Sequence, residues 1–397
     1  MPASHTVDST TTHAELIIIG TGMAGIGLAR ALRRLGDQRS ITLVSADSGD
    51  DYSKPLLSTG FAKGLKPDQL ARQSATGLAE ELNIQVMAYT PVEQVSADTQ
   101  TLRLSNGQTL TYDILVLATG AEPRAPFAIP ASVSQHFFVI NDLDDYRRFY
   151  TALHERPARI AIIGAGLVGC EFANDLHAGG HQISLIAPEA TPLPRLLPEP
   201  LGVALGEAFG EAGIQLALGR TLKDIDVGEG SSVRLTLDNN AVINADIVLL
   251  ATGLAPRTGL AKTAGLAVSD QGIQVDRYLR TSNPYIYALG DVACIDSINA
   301  MYVQPLQACA KALAATLSGT PTPVSFGAWP VIVKTPLLPV VAYPPLTPPE
   351  RWRIEGEGGD MSALGEDKDG NLVGFALTGG CVRRKVELSR AAPALLG

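Results

Sequence analysis

Leu16-Ile17-Ile18-Ile19-Gly20-Thr21-Gly22-Met23-Ala24-Gly25 and, 144 residues later, Ile160-Ala161-Ile162-Ile163-Gly164-Ala165-Gly166-Leu167-Val168-Gly169 are two copies of one pattern. Each is an apolar run long enough for a buried strand, followed by G-x-G-x-x-G and then by helical periodicity. The first helix should cover residues 26–35 and stop at Gly36; the second should run to about His177, before Gly179-Gly180. A second apolar run follows each helix, at residues 41–44 and 183–186, so each copy reads as a βαβ unit. In such a unit the first glycine (Gly20, Gly164) permits the tight turn and the second (Gly22, Gly166) lets a pyrophosphate approach the backbone. The third (Gly25, Gly169) lets helix and strand pack closely. The unpaired N–H groups and dipole of the helix N-terminus favour the same anion. Two copies, each between a strand and a helix, predict two dinucleotide sites in one chain.

A ribose acid belongs near the end of the second strand of each unit. Ser45 stands at the usual place in the first copy, with Asp47 two residues on; in the second, Ile186 is followed by Ala187-Pro188-Glu189. Asp47 and Glu189 are the candidates, each of which also reads as a solvated loop acid. The lack of an arginine just after Ile186 favours NADH over NADPH. A second echo joins the first: Ala118-Thr119-Gly120 and Ala251-Thr252-Gly253 each close an apolar run. A buried strand ending in small, tightly turning residues suits a backbone that passes beside a cofactor.

The 397 residues allow two to three domains, and 46% hydrophobic with 18% charged residues is a globular composition. The net charge of −9 opposes binding to a nucleic-acid backbone. Residues 1–14 lack both an apolar core and a basic start, so they read as a flexible tail, with the fold expected from Glu15. No apolar run reaches the ~18 residues of a membrane span. Cys170, Cys294, Cys309 and Cys381 are too scattered for a C-x-x-C site and too few for a secreted framework, which fits a reducing cytoplasm. His177 and His181 are separated by Gly179-Gly180, so they do not share a zinc-binding helix face, and no metal site is visible.

The order of G-x-G-x-x-G, A-T-G, G-x-G-x-x-G with Glu171 two residues on, A-T-G and finally Ile286-Tyr287-Ala288-Leu289-Gly290-Asp291 resembles the flavoprotein reductases with two dinucleotide-binding domains. The resemblance covers nearly all of the chain from residue 15. It implies FAD, tightly but not covalently bound, in the first domain and NADH as electron donor in the second, with Asp291 and also Val92 and Arg124 contacting FAD. Thiol-dependent members carry a cysteine shortly after the first unit; none stands between Val44 and Gly60 here. That segment instead reads Tyr52-Ser53-Lys54-Pro55-Leu56-Leu57-Ser58, similar to the flavin contact of reductases that serve small iron–sulfur proteins. Together with Leu167 to Leu176 and Pro330-Val331-Ile332-Val333-Lys334-Thr335-Pro336, it is similar to the rubredoxin–NAD reductases. The Trp-Ser-Asp-Gln element usual in oxygenase-type ferredoxin reductases is missing after Trp329, which puts the ferredoxin reading second. A slow-turnover flavin sensor of NADH, as in the apoptosis-inducing-factor branch, is the reading from another class.

The expected architecture is α/β: two Rossmann-like domains and a smaller α+β C-terminal domain. FAD is assigned to residues 15–118 and 259–320, NAD to 140–255, and the C-terminal domain to 321–397. The resemblance implies Lys54 and Lys334 beside the flavin as catalytic residues with Glu171, and an ion pair is expected between Lys54 and Glu171. The acceptor is expected to be rubredoxin, a small acidic iron protein that takes electrons one at a time. Its docking candidates are Arg30, Arg33, Arg34, Lys63, Lys66, Arg72 and Arg383-Arg384-Lys385. The oligomer is expected to be no larger than a monomer or weak dimer.

Overall fold

Thr11–Ile19 is the inner strand of a sheet that a computed structural model, describing residues 11–153 and 157–397, builds from distant parts of the chain. The strand begins four residues before Glu15. Thr11, Thr12, His13 and Ala14 pair in parallel with Thr109, Leu110, Thr111 and Tyr112. The first three are exposed, so this extension carries no apolar signal in the sequence. Residues 1–10 of the expected tail lie outside the described residues.

The chain divides into two compact units. The first comprises Met1–Ser53, Ala71–Glu122 and Ala255–Ser325. Its sheet places Gln85–Met87, Ile41–Val44, Thr11–Ile19, Thr109–Leu117 and Ile286–Ala288 side by side in parallel. Leu16, Ile17 and Ile18 are wholly buried, as β-branched and Leu runs between covered faces require. The helix Met23–Arg34 buries Ala24, Ile26, Leu28, Ala29 and Leu32. Gly27 gives it close approach to the helix Val303–Leu317, where a Cβ would stand 3.6 Å from that of Ala310.

The second unit comprises Lys54–Leu70, Pro123–Leu254 and Phe326–Gly397. Its parallel sheet runs Phe137–Phe138, Ile247–Leu250, Arg159–Ile163, Gln182–Ala187, Gln215–Leu218. The helix Leu167–Ala178 follows the second glycine motif and buries every residue from Gly169 to Leu176. The C-terminal part is a five-stranded antiparallel sheet in the order Val331–Val333, Val340–Tyr343, Leu372–Thr378, Asp360–Glu366, Arg351–Glu357. Val341, Tyr343, Leu364, Phe375 and Leu377 form a core on one face of it with Leu388 of the helix Lys385–Ala391. The segment Lys54–Leu70, though it follows the first βαβ strands in sequence, belongs to this second unit.

Candidate functional site: two nucleotide cradles and a buried ion pair

The repeated motif is repeated in geometry. Gly20 and Gly164 lie at φ +114° and +113°. A Cβ on Gly20 would stand 2.2 Å from the Ala118 carbonyl oxygen, and one on Gly164 would stand 2.3 Å from that of Ala251. Each A-T-G segment therefore passes directly beside the first glycine of its own motif. The amide of Gly20 donates to Val44 and that of Gly164 to Ile186, both at 2.8 Å; Ala118 donates to Ile19 at 2.9 Å and Ala251 to Ile163 at 2.8 Å. At Gly25 and Gly169 a Cβ would meet the carbonyl oxygen of Gly20 or Gly164 at 2.0 and 1.9 Å, so helix and strand touch there.

Gly22 and Gly166 differ in kind. Both are helix N-caps in extended conformation, neither has a side-chain cap, and a Cβ on either would meet nothing within 4 Å. The space beside each cap residue is thus open at the carboxyl ends of parallel strands, which suits a pyrophosphate bound by the first-turn N–H groups.

Around the first cradle, Asp47 Oδ1 accepts the Thr21 hydroxyl at 3.2 Å and the Gly49 amide at 3.0 Å, and also pairs with the Ser45 hydroxyl. Ser45 and Thr21 share a bond of 2.6 Å. Ser45 was noted from its place at the strand end, but the role of Thr21 beside it was missed; a hydroxyl inside the glycine motif facing Ser at the strand end was the available signal. Gly290 has φ +78°, and a Cβ there would lie 2.8 Å from the Ala24 Cβ, which sets Asp291 near the start of the first glycine helix. Val92 opens the outer strand Val92–Ser96. Thr119 donates to the carbonyl of Arg257 at 3.1 Å, and Gly120 turns at φ +67°. Arg124, expected at FAD, lies in the second unit. Its amide donates to Gly253 at 2.9 Å and its Nε to Leu254 at 3.0 Å, and its carbonyl accepts the Thr252 hydroxyl at 2.6 Å. Glu189 is exposed after the strand Gln182–Ala187, its carbonyl accepting Gly219 at 2.8 Å.

Glu171 is 5% exposed on the second glycine helix. Its carboxylate forms an ion pair with the Lys334 ammonium, accepts the Lys334 amide at 3.1 Å and accepts the Ser58 hydroxyl at 2.7 Å. Lys54, the expected partner, donates to Asn141 Oδ1 at 2.7 Å. The correction has a physical reason. The strand Val331–Val333 delivers both the backbone and the side chain of Lys334 to one carboxylate, whereas Lys54 meets the loop after Phe137–Phe138. Pro55 lies with Lys54 in the turn Lys54–Thr59. Ser58 and Asn141 carried no signal in sequence beyond being polar.

The cysteines are placed unlike redox thiols. Cys170, Cys294 and Cys309 are buried, and burial pushes the thiols of Cys170 and Cys309 up to about 12. At pH 8 the reactive thiolate of these two should be on the order of one part in ten thousand. Alkylation of the folded protein should therefore label Cys381 alone and leave NADH oxidation intact; peptide mapping with an activity assay checks this. Of the expected docking cations, Arg30 pairs with Asp51 at 2.8 Å and Glu81 at 3.3 Å, and Arg384 pairs with Glu355 at 3.0 Å. Arg33 donates to the carbonyls of Asp37, Arg39, Leu82 and Asn83, and Arg383 to that of Gly380. Arg34, Lys63, Lys66, Arg72 and Lys385 form no ion pair among the described residues. No helix among the described residues is long and apolar enough to cross a membrane.

The paired cradles define a class, and the family comparison agrees. The chain belongs to the pyridine nucleotide-disulphide oxidoreductase family, whose model matches residues 14–315, and it is an oxidoreductase. The family uses FAD, with NADH as electron donor. A second model, the rubredoxin binding C-terminal domain, matches residues 323–392. The chain is 41% identical over 382 residues to a rubredoxin-NAD(+) reductase of Alcanivorax borkumensis, covering 96% of this chain and 99% of that one. It is 38% identical to one of Acinetobacter baylyi, covering 96% and 98%. Among solved structures, the covalent putidaredoxin reductase–putidaredoxin complex matches with TM-score 0.86 at 25% identity, covering 96% of this chain and 94% of that one.

Proposed function

We propose that the protein transfers electrons from NADH through FAD to rubredoxin. The observation that carries this reading is the C-terminal match over residues 323–392, because the two nucleotide cradles are common to the whole family. The high identity to the two rubredoxin-NAD(+) reductases supports it, and the same C-terminal match favours rubredoxin over a ferredoxin as acceptor.

In this reading the Gly20-Thr21-Gly22 turn holds the FAD pyrophosphate and the Gly164-Ala165-Gly166 turn that of NADH. Asp291, Ala118, Thr119, Gly120, Asp47 and Val92 complete the FAD cradle; Thr252, Gly253 and Glu189 complete that of NADH. Arg124, given its bonds to Gly253 and Leu254, is assigned to shaping the second cradle. FAD held there would supply the means to take a hydride pair from NADH and to pass electrons on singly. Lys54 and Lys334 supply positive charge for the flavin ring as it gains electrons. Glu171 holds Lys334 by both its ammonium and its amide, Ser58 donates to the same carboxylate, and Asn141 accepts from Lys54. Rubredoxin is the protein partner, the compartment is the cytoplasm, and the enzyme works as a monomer or weak dimer without membrane or nucleic acid.

The direct experiment adds NADH to FAD-loaded protein with rubredoxin and with a ferredoxin in parallel. Faster reduction of rubredoxin supports the reading; equal or faster reduction of ferredoxin contradicts it, and slow bleaching of the flavin without transfer to either points to a sensor. The acidic acceptor should be steered by the cations that form no ion pair among the described residues. Raising salt from 0.05 to 0.5 M (about 14 to 4 Å in screening length) should slow rubredoxin reduction several-fold and leave reduction of a neutral dye nearly unchanged. Stopped-flow rates across a salt series check this.

A further inference from the structure

One face of the helix Leu167–Ala178 gathers three buried polar side chains at spacings of three and four: Glu171, Asn174 and Asp175. Glu171 is accounted for above, and Asn174 accepts the amide of Leu337 at 3.1 Å. Asp175 is 3% exposed and forms no ion pair among the described residues. Its two oxygens instead accept two consecutive backbone amides, Oδ2 from Phe61 at 3.1 Å and Oδ1 from Ala62 at 2.9 Å. Both lie in the segment Lys54–Leu70, which also carries Lys54, Pro55 and Ser58.

The same turn is seated by shape. The Phe61 ring lies 5.3 Å from that of Tyr146, 5.8 Å from Phe149, 5.9 Å from Tyr150 and 6.0 Å from His181. A Cβ on Gly60 would stand 2.4 Å from the Tyr146 hydroxyl, so only glycine lets the turn settle there. Burial raises the pKa of Asp175, while the two amides, Lys334 and Lys63 lower it. A buried carboxylate is held there for the sake of two N–H groups that no ladder satisfies.

We propose that Asp175 is a positioning residue for the redox reaction: by clamping the Phe61 and Ala62 amides it fixes the segment that presents Lys54 and Ser58. This rests on the proposed function in one respect, the role of Lys54 toward the flavin.

The test uses the full-length FAD-loaded protein and the isosteric variant Asp175→Asn, whose side chain keeps one acceptor oxygen and replaces the other with a donor. Two readouts are taken. Hydrogen exchange of residues 54–65 should quicken at least tenfold in the variant while that of the strand Arg159–Ile163 stays as in the wild type. The turnover number for NADH oxidation should fall about tenfold with the KM for NADH and the FAD content unchanged. In a Lys54→Met background the further effect of Asp175→Asn on turnover should shrink below twofold, because both changes act through one segment. Unaltered exchange overturns the clamp. Faster exchange with unaltered turnover, or a full multiplicative loss in the Lys54→Met background, leaves Asp175 a structural residue only and overturns the positioning role. Should Asp175→Asn fail to fold, Asp175→Glu keeps the charge but displaces its oxygens from the Phe61 and Ala62 amides and is read in the same way. If the wild type itself is not reduced by NADH, the functional reading fails, and the exchange readout still decides the clamp.

Discussion

Replacing Gly166 with valine should leave the protein folded and yellow while raising the KM for NADH on the order of a hundredfold. The expectation follows from the empty space around this residue. A Cβ there meets no atom within 4 Å and the backbone is extended at φ −77°, so the fold loses little beyond a modest change in the helix cap. The branched side chain would instead fill the approach to the first-turn amides, where the pyrophosphate belongs. Gly22→Val should have the matching effect on the other nucleotide and yield folded protein that retains little FAD. Gly164→Ala should behave differently, since its Cβ would lie 2.3 Å from the Ala251 carbonyl oxygen at φ +113°; it should lose stability first and binding as a consequence. Circular dichroism, flavin content and NADH titration distinguish the three. A Gly166→Val protein with ordinary NADH affinity would remove the second cradle from the mechanism.

The second large effect is expected at Glu171. Its carboxylate joins the Lys334 side chain and amide to the Ser58 hydroxyl, and it is 5% exposed. Removing the carboxylate strands a Lys334 ammonium that is itself only half-buried, so the cost is expected below the full buried-pair penalty, about 1–3 kcal/mol. Glu171→Ala should therefore destabilise the second unit by roughly that amount. Glu171→Gln keeps the shape and an acceptor for the Lys334 amide but removes the charge. It should bind FAD in full, while flavin reduction by NADH slows about tenfold to a hundredfold as Lys334 loses its counter-ion. Lys334→Met should slow the same step with little change in FAD content. Stopped-flow reduction and thermal melts on the three variants check this, and unchanged reduction in Glu171→Gln would remove the carboxylate from the reaction.

The fold was legible because its deciding residues are local and repeated. Gly20 and Gly164 need positive φ and a bare α-carbon for reasons that act within one turn of chain, and the Ala-Thr-Gly echo marks the strand that passes each of them. The allegiance of Lys54–Leu70 to the second unit was not legible. It is set by bonds across more than a hundred residues of sequence, from Ser58 to Glu171 and from Phe61 and Ala62 to Asp175, which no periodicity reports. The ion pair was half legible for the same reason. Glu171 and Lys334 were both picked out, but Lys54 was named as the partner because charge type alone does not choose between two lysines; the strand that presents Lys334 by amide and ammonium does. Likewise, several cations that read as a docking surface are spent on carbonyls and carboxylates of their own unit, Arg33 most of all. At the start of the chain, Thr11–Ala14 escaped notice since a polar strand extension has no hydrophobic alternation to betray it.

The most direct measurement mixes the purified, FAD-loaded protein anaerobically with NADH and follows the yellow flavin band, then adds oxidised rubredoxin to the bleached sample. The band should vanish faster than steady-state turnover and return as rubredoxin is reduced, with two rubredoxins reduced for each NADH consumed, since each accepts one electron. A protein that takes up no FAD, or whose bleached flavin stays bleached beside oxidised rubredoxin, would contradict the account.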